Sequence, residues 1–213
     1  MSKDHYKLNR DTYNSLAEQY QEKFMDWDGY HNTYDTFLAT LSPEQANVLE
    51  IGCGPGNVTR YLLEKRPDFK IHGIDVAPNM IALAIKNNTQ ASFEVMDCIA
   101  INSFEQKFDA IMCGFCIPYI NKEDAIQLIF DTACLLKPNG VFYLSTMEDA
   151  YSKSRRRGSP NHDLEVFIHY HEASYLKDAL NANGFELIHE IRQDYPEQDG
   201  SNTTDLFLIA RKK

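Results

Sequence analysis

Three glycines at alternate positions, directly after a short apolar run, constrain this chain more than any other stretch. The run at residues 48–51 is aliphatic and partly β-branched, and Gly52, Gly54 and Gly56 follow it. An amphipathic segment starts near Asn57, so the pattern predicts a buried strand, a tight turn and a helix. Glycine is needed where backbone takes a positive φ or lies against a ligand without an intervening Cβ. Because free N–H groups lie at the start of the next helix, the turn is a candidate cradle for a nucleotide-like molecule.

The glycine spacing and one acid discriminate between cofactors. Dinucleotide-binding folds use G-x-G-x-x-G, which places a pyrophosphate on a helix N-terminus. This chain instead has Glu50-x-Gly52-x-Gly54-x-Gly56, with Cys53 inside the turn. A carboxylate at Glu50 would repel a phosphate and suits a bound ammonium group. The segment resembles the first motif of class I S-adenosylmethionine-dependent methyltransferases, which implies that it holds the methionine end of S-adenosyl-L-methionine.

Two predicted strands after the glycine turn each end in an acid. The strand at 69–75 ends at Asp75, whose carboxylate can accept both hydroxyls of a ribose. The strand at 91–98 ends at Asp97 and Cys98, whose carboxylate and backbone N–H could pair with an adenine ring. The corresponding residues have these roles in the family, whereas a turn or helix-capping aspartate is the alternative at both positions.

Further cofactor contacts are implied by the resemblance. Residues 75–80 resemble the family's D-x-S-x-x-M segment, which puts Val76 and Met80 beside the adenosine, although Met80 would equally suit a core position. Residues 108–111 resemble F-D-x-I, a strand whose end borders the transferring methyl group, and this adds Cys113. A redox or zinc role for the C-x-x-C pair that begins at Cys113 is not expected, because the neighbouring sequence lacks the helix start or the extra ligands.

The first 45 residues are expected to form a helical cap. Apolar residues, many of them tyrosines, recur at spacings of three and four over 9–26 and 30–41, which predicts two amphipathic helices. Both helices could pack simply as core, or Tyr13 and Tyr20 could close over a ligand. Residues 13–20 resemble the Y-D-x-x-A-x-x-Y element of small-molecule methyltransferases, whose tyrosines lie over cofactor and substrate, with Asn14 in place of the aspartate.

The rest of the chain predicts one α/β domain over residues 46–213. Apolar runs and helical spacing indicate strands at 108–116, 141–146, 185–194 and 204–211, and helices at 124–136 and 172–183. The segment 135–141 closely resembles the family's L-L-K-P-G-G. We therefore expect the family's α/β fold: a Rossmann-like, seven-stranded, mostly parallel sheet with helices on both faces, an antiparallel last strand and an N-terminal helical extension.

Periodicity fails between residues 147 and 171, where a lid-like insertion is expected. Residues 153–160 are polar and basic, and three interpretations stay open: a solvated loop, a clamp for an acidic or carboxylate-bearing substrate, and an RNA contact. His169 and His171 could line the pocket as general bases, bind a metal, or be ordinary structure. No third ligand lies nearby, so a metal site is not predicted. Tyr13 and His162 are further candidate bases.

Size and charge limit the partners. The 213 residues suit one sizeable core, and a net charge of -10 disfavours nucleic acid as the main partner. No segment has the apolar length of a membrane span, and the first residues lack a signal peptide's apolar core. Five cysteines fit reduced thiols better than a disulfide framework. We expect a cytoplasmic protein that acts on a small molecule, and both a monomer and a homodimer stay open.

The resemblance implies an enzyme that transfers the methyl group of S-adenosyl-L-methionine to a small-molecule acceptor by in-line displacement. Two other functions are retained. One is a module that binds the cofactor without catalysis, and the other is a nicotinamide-dependent oxidoreductase, which the glycine spacing and Glu50 disfavour. RNA methylation is a weaker option.

Overall fold

The structure is a computed structural model that describes residues 2–42, 44–159, 162–196 and 202–213. The helices are α1 (Ser2–Ser15), α2 (Ala17–Phe24), α3 (His31–Ala39), α4 (Asn57–Lys65), α5 (Pro78–Asn87), α6 (Lys122–Leu135) and α7 (Ala173–Ala182). The strands are β1 (Asn47–Ile51), β2 (Lys70–Asp75), β3 (Ser92–Val95), β4 (Phe108–Cys113), β5 (Leu136–Glu148), β6 (Arg155–Ser159), β7 (His162–Ile168), β8 (Phe185–Pro196) and β9 (Asn202–Lys212).

Among the described residues, seven strands form one sheet in the order β3-β2-β1-β4-β5-β9-β8. The neighbours from β3 to β5 are parallel, whereas β9 runs antiparallel to both β5 and β8. The predicted Rossmann-like fold is therefore confirmed, including the antiparallel C-terminal hairpin. Parallel strands end at one edge of a sheet, so the segments after β1 to β4 converge there.

Helices cover both faces of this sheet, and the alternation along β4 shows which side chains face which layer. Ala110 and Met112 pack in a cluster with Tyr34 and Phe37 of α3, on one face. Ile111 and Cys113 pack in a second cluster with residues of α6 and α7. Burial on both faces explains why the central strands are continuous apolar runs.

The N-terminal segment forms two helices where the sequence predicted one over 9–26. Leu16 takes φ of -98° and ψ of 13°, outside the helical region, and α2 begins at the next residue. Asn14 lies just before this break and is bonded to α5: its side-chain oxygen accepts the Asn79 N–H at 2.8 Å, and its carbonyl accepts the Asn79 amide at 2.8 Å. Both helices that flank the break contact α5.

The basic stretch at 153–160 is not a loop over most of its length. Residues 155–159 form β6, which pairs antiparallel with β7 in a separate two-stranded sheet. Successive side chains along a strand point to opposite faces of the sheet, so neighbouring basic residues of β6 point to different faces. Residue 160, the last of this stretch, lies outside the described ranges, as does residue 161.

Two predicted strands are shorter than expected at the edge where the loops converge. The strand predicted over 91–98 ends at Val95, and Asp97 instead begins a 3-10 turn over Cys98–Ser103. The strand predicted over 108–116 ends at Cys113, because Phe115 takes a positive φ of 50°. Within the described part of the chain, no helix combines the length and apolarity needed to cross a membrane.

Candidate active site

The glycine turn after β1 is held against the end of β2. Gly52, Gly54 and Gly56 all have positive φ, between 52° and 81°, which L-residues with a Cβ rarely adopt. The Gly52 N–H donates to the Ile74 carbonyl at 2.8 Å, and the Gly54 N–H donates to the Asp75 carboxylate at 3.0 Å. The turn and the acid that ends β2 therefore form one hydrogen-bonded unit.

Two cavities open beside this unit. The first, which we call the strand-end cavity, has a volume of about 400 Å³ and is lined by residues that follow β2 and β3. The second, which we call the aromatic cavity, has a volume of about 370 Å³ and lies under α1, α2 and the β6–β7 hairpin. Residues that line both cavities are Tyr13, Tyr20, Gly52, Gly54, Gly114, Phe115 and Tyr119. The two spaces therefore meet over the glycine turn.

Most of the residues expected to contact the cofactor line these cavities. Those that line the strand-end cavity are Asp75, Val76, Met80, Asp97 and Cys98, in addition to the shared Tyr20, Gly52 and Gly54. Glu50 and Cys53 line the aromatic cavity. Gly56 has a structural role, since a Cβ there would lie 2.3 Å from the Asn88 amide nitrogen. Cys113 is fully buried in the core on the α6–α7 side and lines neither cavity.

The Asp75 carboxylate is oriented by the backbone. One oxygen accepts the Gly54 N–H, and the other accepts the Ala77 N–H at 2.8 Å. Burial raises the pKa of Asp75, although these hydrogen bonds oppose the shift. Each carboxylate oxygen has two lone pairs, so each can accept a further bond from a ligand. Asp75 thus caps the turn and also faces the strand-end cavity.

Glu50 is buried, and its carboxyl group is mostly protonated, and therefore uncharged, at neutral pH. The carboxyl group of Glu50 accepts a hydrogen bond from the Thr59 hydroxyl, and Glu50 is 2% exposed. Burial, and secondarily the charge of Asp75, raises the pKa of Glu50 to about 8. A cation placed beside Glu50 would lower this pKa, because it would stabilise the charged form. Glu50 is therefore suited to bind an ammonium group and releases a proton when it does so at neutral pH.

Tyr13 and Tyr119 form a hydroxyl pair where the two cavities meet. Their hydroxyl groups are hydrogen bonded to each other, and their rings meet edge to face with centroids 4.9 Å apart. Burial raises the pKa of both phenols, so both are neutral at physiological pH. The pair can donate hydrogen bonds to a ligand, but the raised pKa makes Tyr13 a poor source of phenolate.

The histidines that the sequence suggested as bases are not found among the residues that line the two cavities. His171 is fully buried, where one ring nitrogen lies 2.8 Å from the Ile117 carbonyl and the other bonds the Tyr175 hydroxyl. His169 stacks on Tyr151, and burial lowers the pKa of both histidines to about 4. Neither lines either cavity, and the side chain of His162 lies outside the described residues. No group of three potential metal ligands is found in the part of the chain that the structure describes.

Several lining residues were not predicted from the sequence. Ile99 lies beyond the predicted adenine contacts and is 41% exposed at the strand-end cavity. Trp27 and Phe115 line the aromatic cavity, as does Arg157, which belongs to the basic run for which a substrate clamp was one of three open interpretations. The position of Gly114 inside the strand predicted at 108–116 was one available signal, since a glycine within a strand can mark the close approach of a ligand.

The cavities fit the predicted cofactor. A Cβ on Gly114 would meet no atom within 4 Å, so this glycine leaves open space where the cavities meet. Asp75 and Asp97 offer acceptors to an adenosine, and Cys98 is the first residue of a 3-10 turn, where N–H groups lack acceptors within the turn. Glu50 offers an acid to an ammonium group. No phosphate is implied by this set of donors and acceptors.

Comparison with known proteins agrees with this geometry. A family profile described as a methyltransferase domain matches residues 17–190. Malonyl-[acyl-carrier protein] O-methyltransferase of Acetivibrio thermocellus is 30% identical over 67% of this chain and 47% of its own length. Trans-aconitate 2-methyltransferase of Variovorax paradoxus is 32% identical over 54% of this chain and 43% of its own. The chain thus spans about half the length of these curated relatives.

A solved structure shares the fold across nearly the whole chain. The 1,6-didemethyltoxoflavin-N1-methyltransferase of Burkholderia thailandensis, crystallised with S-adenosylhomocysteine, is 21% identical with a TM-score of 0.68. The match covers 96% of this chain and 87% of the other. Since the family profile matches well over half of the residues, the chain belongs to the class I S-adenosylmethionine-dependent methyltransferase family.

Proposed function

We propose that this chain transfers the methyl group of S-adenosyl-L-methionine to a small-molecule acceptor by in-line displacement. The observation that carries this proposal is the meeting of two cavities over Gly52, Gly54 and Gly114. The strand-end cavity has the polar groups that suit an adenosine, and the aromatic cavity has room for an acceptor. The methyl group is supplied by the cofactor sulfonium, which is already an activated leaving group.

The strand-end cavity is assigned to the adenosine. In this assignment, Asp75 accepts the ribose hydroxyls, and Asp97 with the Cys98 N–H pairs with the adenine edge. Met80 is 2% exposed and packs with Ala17 of α2, so it supports the cavity wall and the cap together. Val76 is 37% exposed on the same wall. These roles are supported by the positions of the side chains around one space.

The methionine end is assigned to the glycine turn, with Glu50 as the partner of the amino group. The Gly52 and Gly54 backbone lies directly beside Glu50 on the wall of the aromatic cavity. Tyr13 and Tyr119 then lie where the acceptor meets the cofactor, and their hydroxyls orient it. The surrounding aromatic rings hold the two reactants in alignment. They also exclude water, so little solvent has to reorganise during the reaction.

The protein supplies alignment rather than a base in this proposal. Among the described residues that line the aromatic cavity, none is a histidine, and the tyrosine hydroxyls are neutral. Glu50 is assigned to the cofactor, and the remaining acid, Asp205, is buried and accepts a hydrogen bond from the Tyr30 hydroxyl. The acceptor atom is therefore one that is nucleophilic at neutral pH without proton removal by a side chain.

Two segments are assigned to closing the site: residues 1–45 as a helical cap, and 147–171 as a lid on the domain at 46–213. Tyr13, Tyr20 and Trp27 come from the first, and Arg157, Leu164 and Ile168 from the second. Both segments therefore contribute walls to the aromatic cavity.

Titration calorimetry with S-adenosylhomocysteine and with NAD tests the cofactor assignment. We expect the first to bind and the second not to bind. Incubation of the protein with S-adenosylmethionine and a pool of small metabolites should then yield products that have gained one methyl group, detected by mass spectrometry. If NAD bound and S-adenosylhomocysteine did not, the assignment of S-adenosyl-L-methionine as the cofactor would be wrong. Binding of S-adenosylhomocysteine without any methylated product would indicate a non-catalytic module.

A further inference from the structure

The residue that follows Tyr13 is bonded to the N-terminal end of α5. The side-chain oxygen of Asn14 accepts a hydrogen bond from the Asn79 N–H, and the Asn14 carbonyl accepts one from the Asn79 amide, both at 2.8 Å. The first N–H groups of a helix have no acceptor within the helix, and the N-cap residue of α5 is Ala77, which has no side-chain oxygen. Asn14 of α1 therefore supplies an acceptor that the local sequence of α5 lacks. We call this pair the first α5 contact.

The residue that follows Tyr20 is bonded to the C-terminal end of α5. The Asn87 amide nitrogen donates to the Gln21 side-chain oxygen at 2.7 Å and to the Pro55 carbonyl at 2.8 Å. An asparagine amide has two N–H donors, so these two bonds use both of them. Because Pro55 belongs to the glycine turn, Asn87 joins α2 directly to that turn. We call the bond between Asn87 and Gln21 the second α5 contact.

Between these two contacts, the cap packs on α5 and on the glycine turn. Ala17 is 3% exposed and packs in one cluster with Met80 of α5. The Tyr20 ring lies against Gly54, since a Cβ built on that glycine would be 3.7 Å from the ring. The rings of Tyr13 and Tyr20 meet edge to face with centroids 6.0 Å apart, and both line both cavities. The segment that carries the two tyrosines is thus bonded to α5 beside each of them.

α5 is also bonded to the assigned cofactor site independently of the cap. At its start, the Ala77 N–H donates to the Asp75 carboxylate at 2.8 Å. Just after its end, the Asn88 amide donates to the Gly56 carbonyl at 3.0 Å, and Asn88 is 5% exposed. The position of α5 is therefore fixed relative to both the acid and the glycine turn, and the two α5 contacts extend this fixed geometry to the cap.

We propose that the two α5 contacts position Tyr13 and Tyr20 over the cofactor. Asn14 and Gln21 line neither cavity, so they are positioning residues that act through the neighbouring tyrosines. This inference rests on the proposed function, in which the strand-end cavity holds the adenosine. Without the α5 contacts, the ligand would have to order the tyrosines as it binds, and such ordering reduces affinity.

Calorimetry with S-adenosylhomocysteine on the full chain tests both contacts. We expect Gln21→Ala and Asn14→Ala each to weaken the affinity by about twofold to tenfold, which corresponds to the net loss of one hydrogen bond. Gln21→Glu and Asn14→Asp keep an oxygen acceptor at the same place, so both should bind as tightly as the unmodified chain. Gln19→Ala makes the same change at an exposed position of α2 and should have no effect.

A Tyr20→Leu background separates positioning from a purely structural role. If the second α5 contact acts through Tyr20, Gln21→Ala should cause no further loss of affinity once the ring is absent. An equal loss in both backgrounds would overturn the proposal, as would an acid variant that binds as weakly as its alanine counterpart.

Thermal melting without ligand reports the stability of each variant. A lower melting temperature with unchanged affinity in either alanine variant would assign that contact a structural role alone and overturn the proposal. If the unmodified chain did not bind S-adenosylhomocysteine, the proposed function would itself be contradicted. Normal binding by the unmodified chain that neither alanine variant weakens would contradict only the role of the α5 contacts.

Discussion

At Gly114 a single missing side chain leaves open the space in which the two cavities meet. The Gly114 backbone is not in the left-handed region, so a larger residue is tolerated by the backbone. No atom lies within 4 Å of a Cβ built there. The backbone therefore does not require a glycine at position 114, in contrast to position 52, where φ is 70°.

Gly114→Leu should therefore leave the fold intact and obstruct the cofactor. We expect affinity for S-adenosylhomocysteine to fall by about tenfold to a hundredfold, as overpacking of a filled site typically costs about 1–3 kcal/mol. Calorimetry gives the affinity, and thermal melting without ligand gives the stability. Gly114→Ala is the matched control and should show a smaller loss. An unchanged affinity in Gly114→Leu would place the cofactor elsewhere.

The raised pKa of Glu50 makes cofactor binding depend on pH. Below about 8 the free protein holds Glu50 protonated. Since an ammonium group favours the ionised form, affinity for S-adenosylhomocysteine should rise between pH 6 and 8, by up to about tenfold per pH unit. Glu50→Gln has no proton to release, so its affinity should be weaker at pH 8 and lack this rise. The same pH slope in both proteins would exclude Glu50 as the partner of the amino group.

At the scale of elements, α1 is attached to the hairpin by buried hydrogen bonds. The Asn9 side chain is 4% exposed, accepts the Phe167 N–H at 2.7 Å and donates to the Phe167 carbonyl at 3.0 Å. The Thr12 hydroxyl donates to the Glu165 carbonyl at 2.7 Å. These bonds satisfy backbone groups of β7, whose one partner strand among the described residues is β6, and they join α1 to the hairpin.

Asn9→Ala should loosen this attachment without affecting the main sheet. Removal of one amide leaves the Phe167 N–H and carbonyl unpaired, which we expect to destabilise the α1–hairpin contact by about 1–3 kcal/mol. Hydrogen exchange followed by mass spectrometry should show faster exchange in α1 and β7 and unchanged exchange in β1 and β4.

Lys7→Ala on the same helix is the control for Asn9→Ala. Lys7 is exposed and forms an ion pair with Asp11, an interaction of little expected consequence. We expect hydrogen exchange in β7 of the Lys7→Ala variant to match that of the unmodified protein. Faster exchange in β7 for both variants would show that any change in α1 disturbs the hairpin, and Asn9 would then have no special role.

At the scale of the whole molecule, the walls of the two cavities come from distant parts of the chain. Residues of the cap, the glycine turn, the loop after β4 and the hairpin all line the aromatic cavity. A ligand that fills these spaces stabilises the arrangement that binds it. Saturating S-adenosylhomocysteine should therefore slow hydrogen exchange in α1, α2 and the glycine turn together, and leave α6 and α7 unaffected. Protection limited to the glycine turn would show that the cap does not close over the cofactor.

The elements that the sequence predicted well are those in which one local pattern dominates. β1, its glycine turn and α4 were evident because an apolar run, three glycines and an amphipathic segment follow in order. Asp75 was evident as an acid at a strand end. The break at Leu16 was missed, since helical periodicity continues through it, and the hydrogen bonds beside it join Asn14 to Asn79, 65 positions away.

The hairpin was missed for a related reason. Alternation along residues 162–168 is weak, and the basic run before it suggested a solvated loop. Only the pairing of Arg157 with Val166 shows that one arginine of the run faces a cavity while Arg156 faces away. Likewise, nothing local distinguishes His171 as a core residue, whose ring nitrogens are both hydrogen bonded inside the protein.

The sequence by itself determined the family, the fold and the glycine turn with its strand-end acids, because backbone conformation and strand burial leave direct marks in residue type and spacing. Only the tertiary structure decided which tyrosines meet over that turn, which arginine lines the aromatic cavity and which histidines are buried in the core. Those facts depend on tertiary contacts, such as that of Tyr13 with Tyr119, which lies 106 positions further along the chain, and local patterns do not encode such contacts.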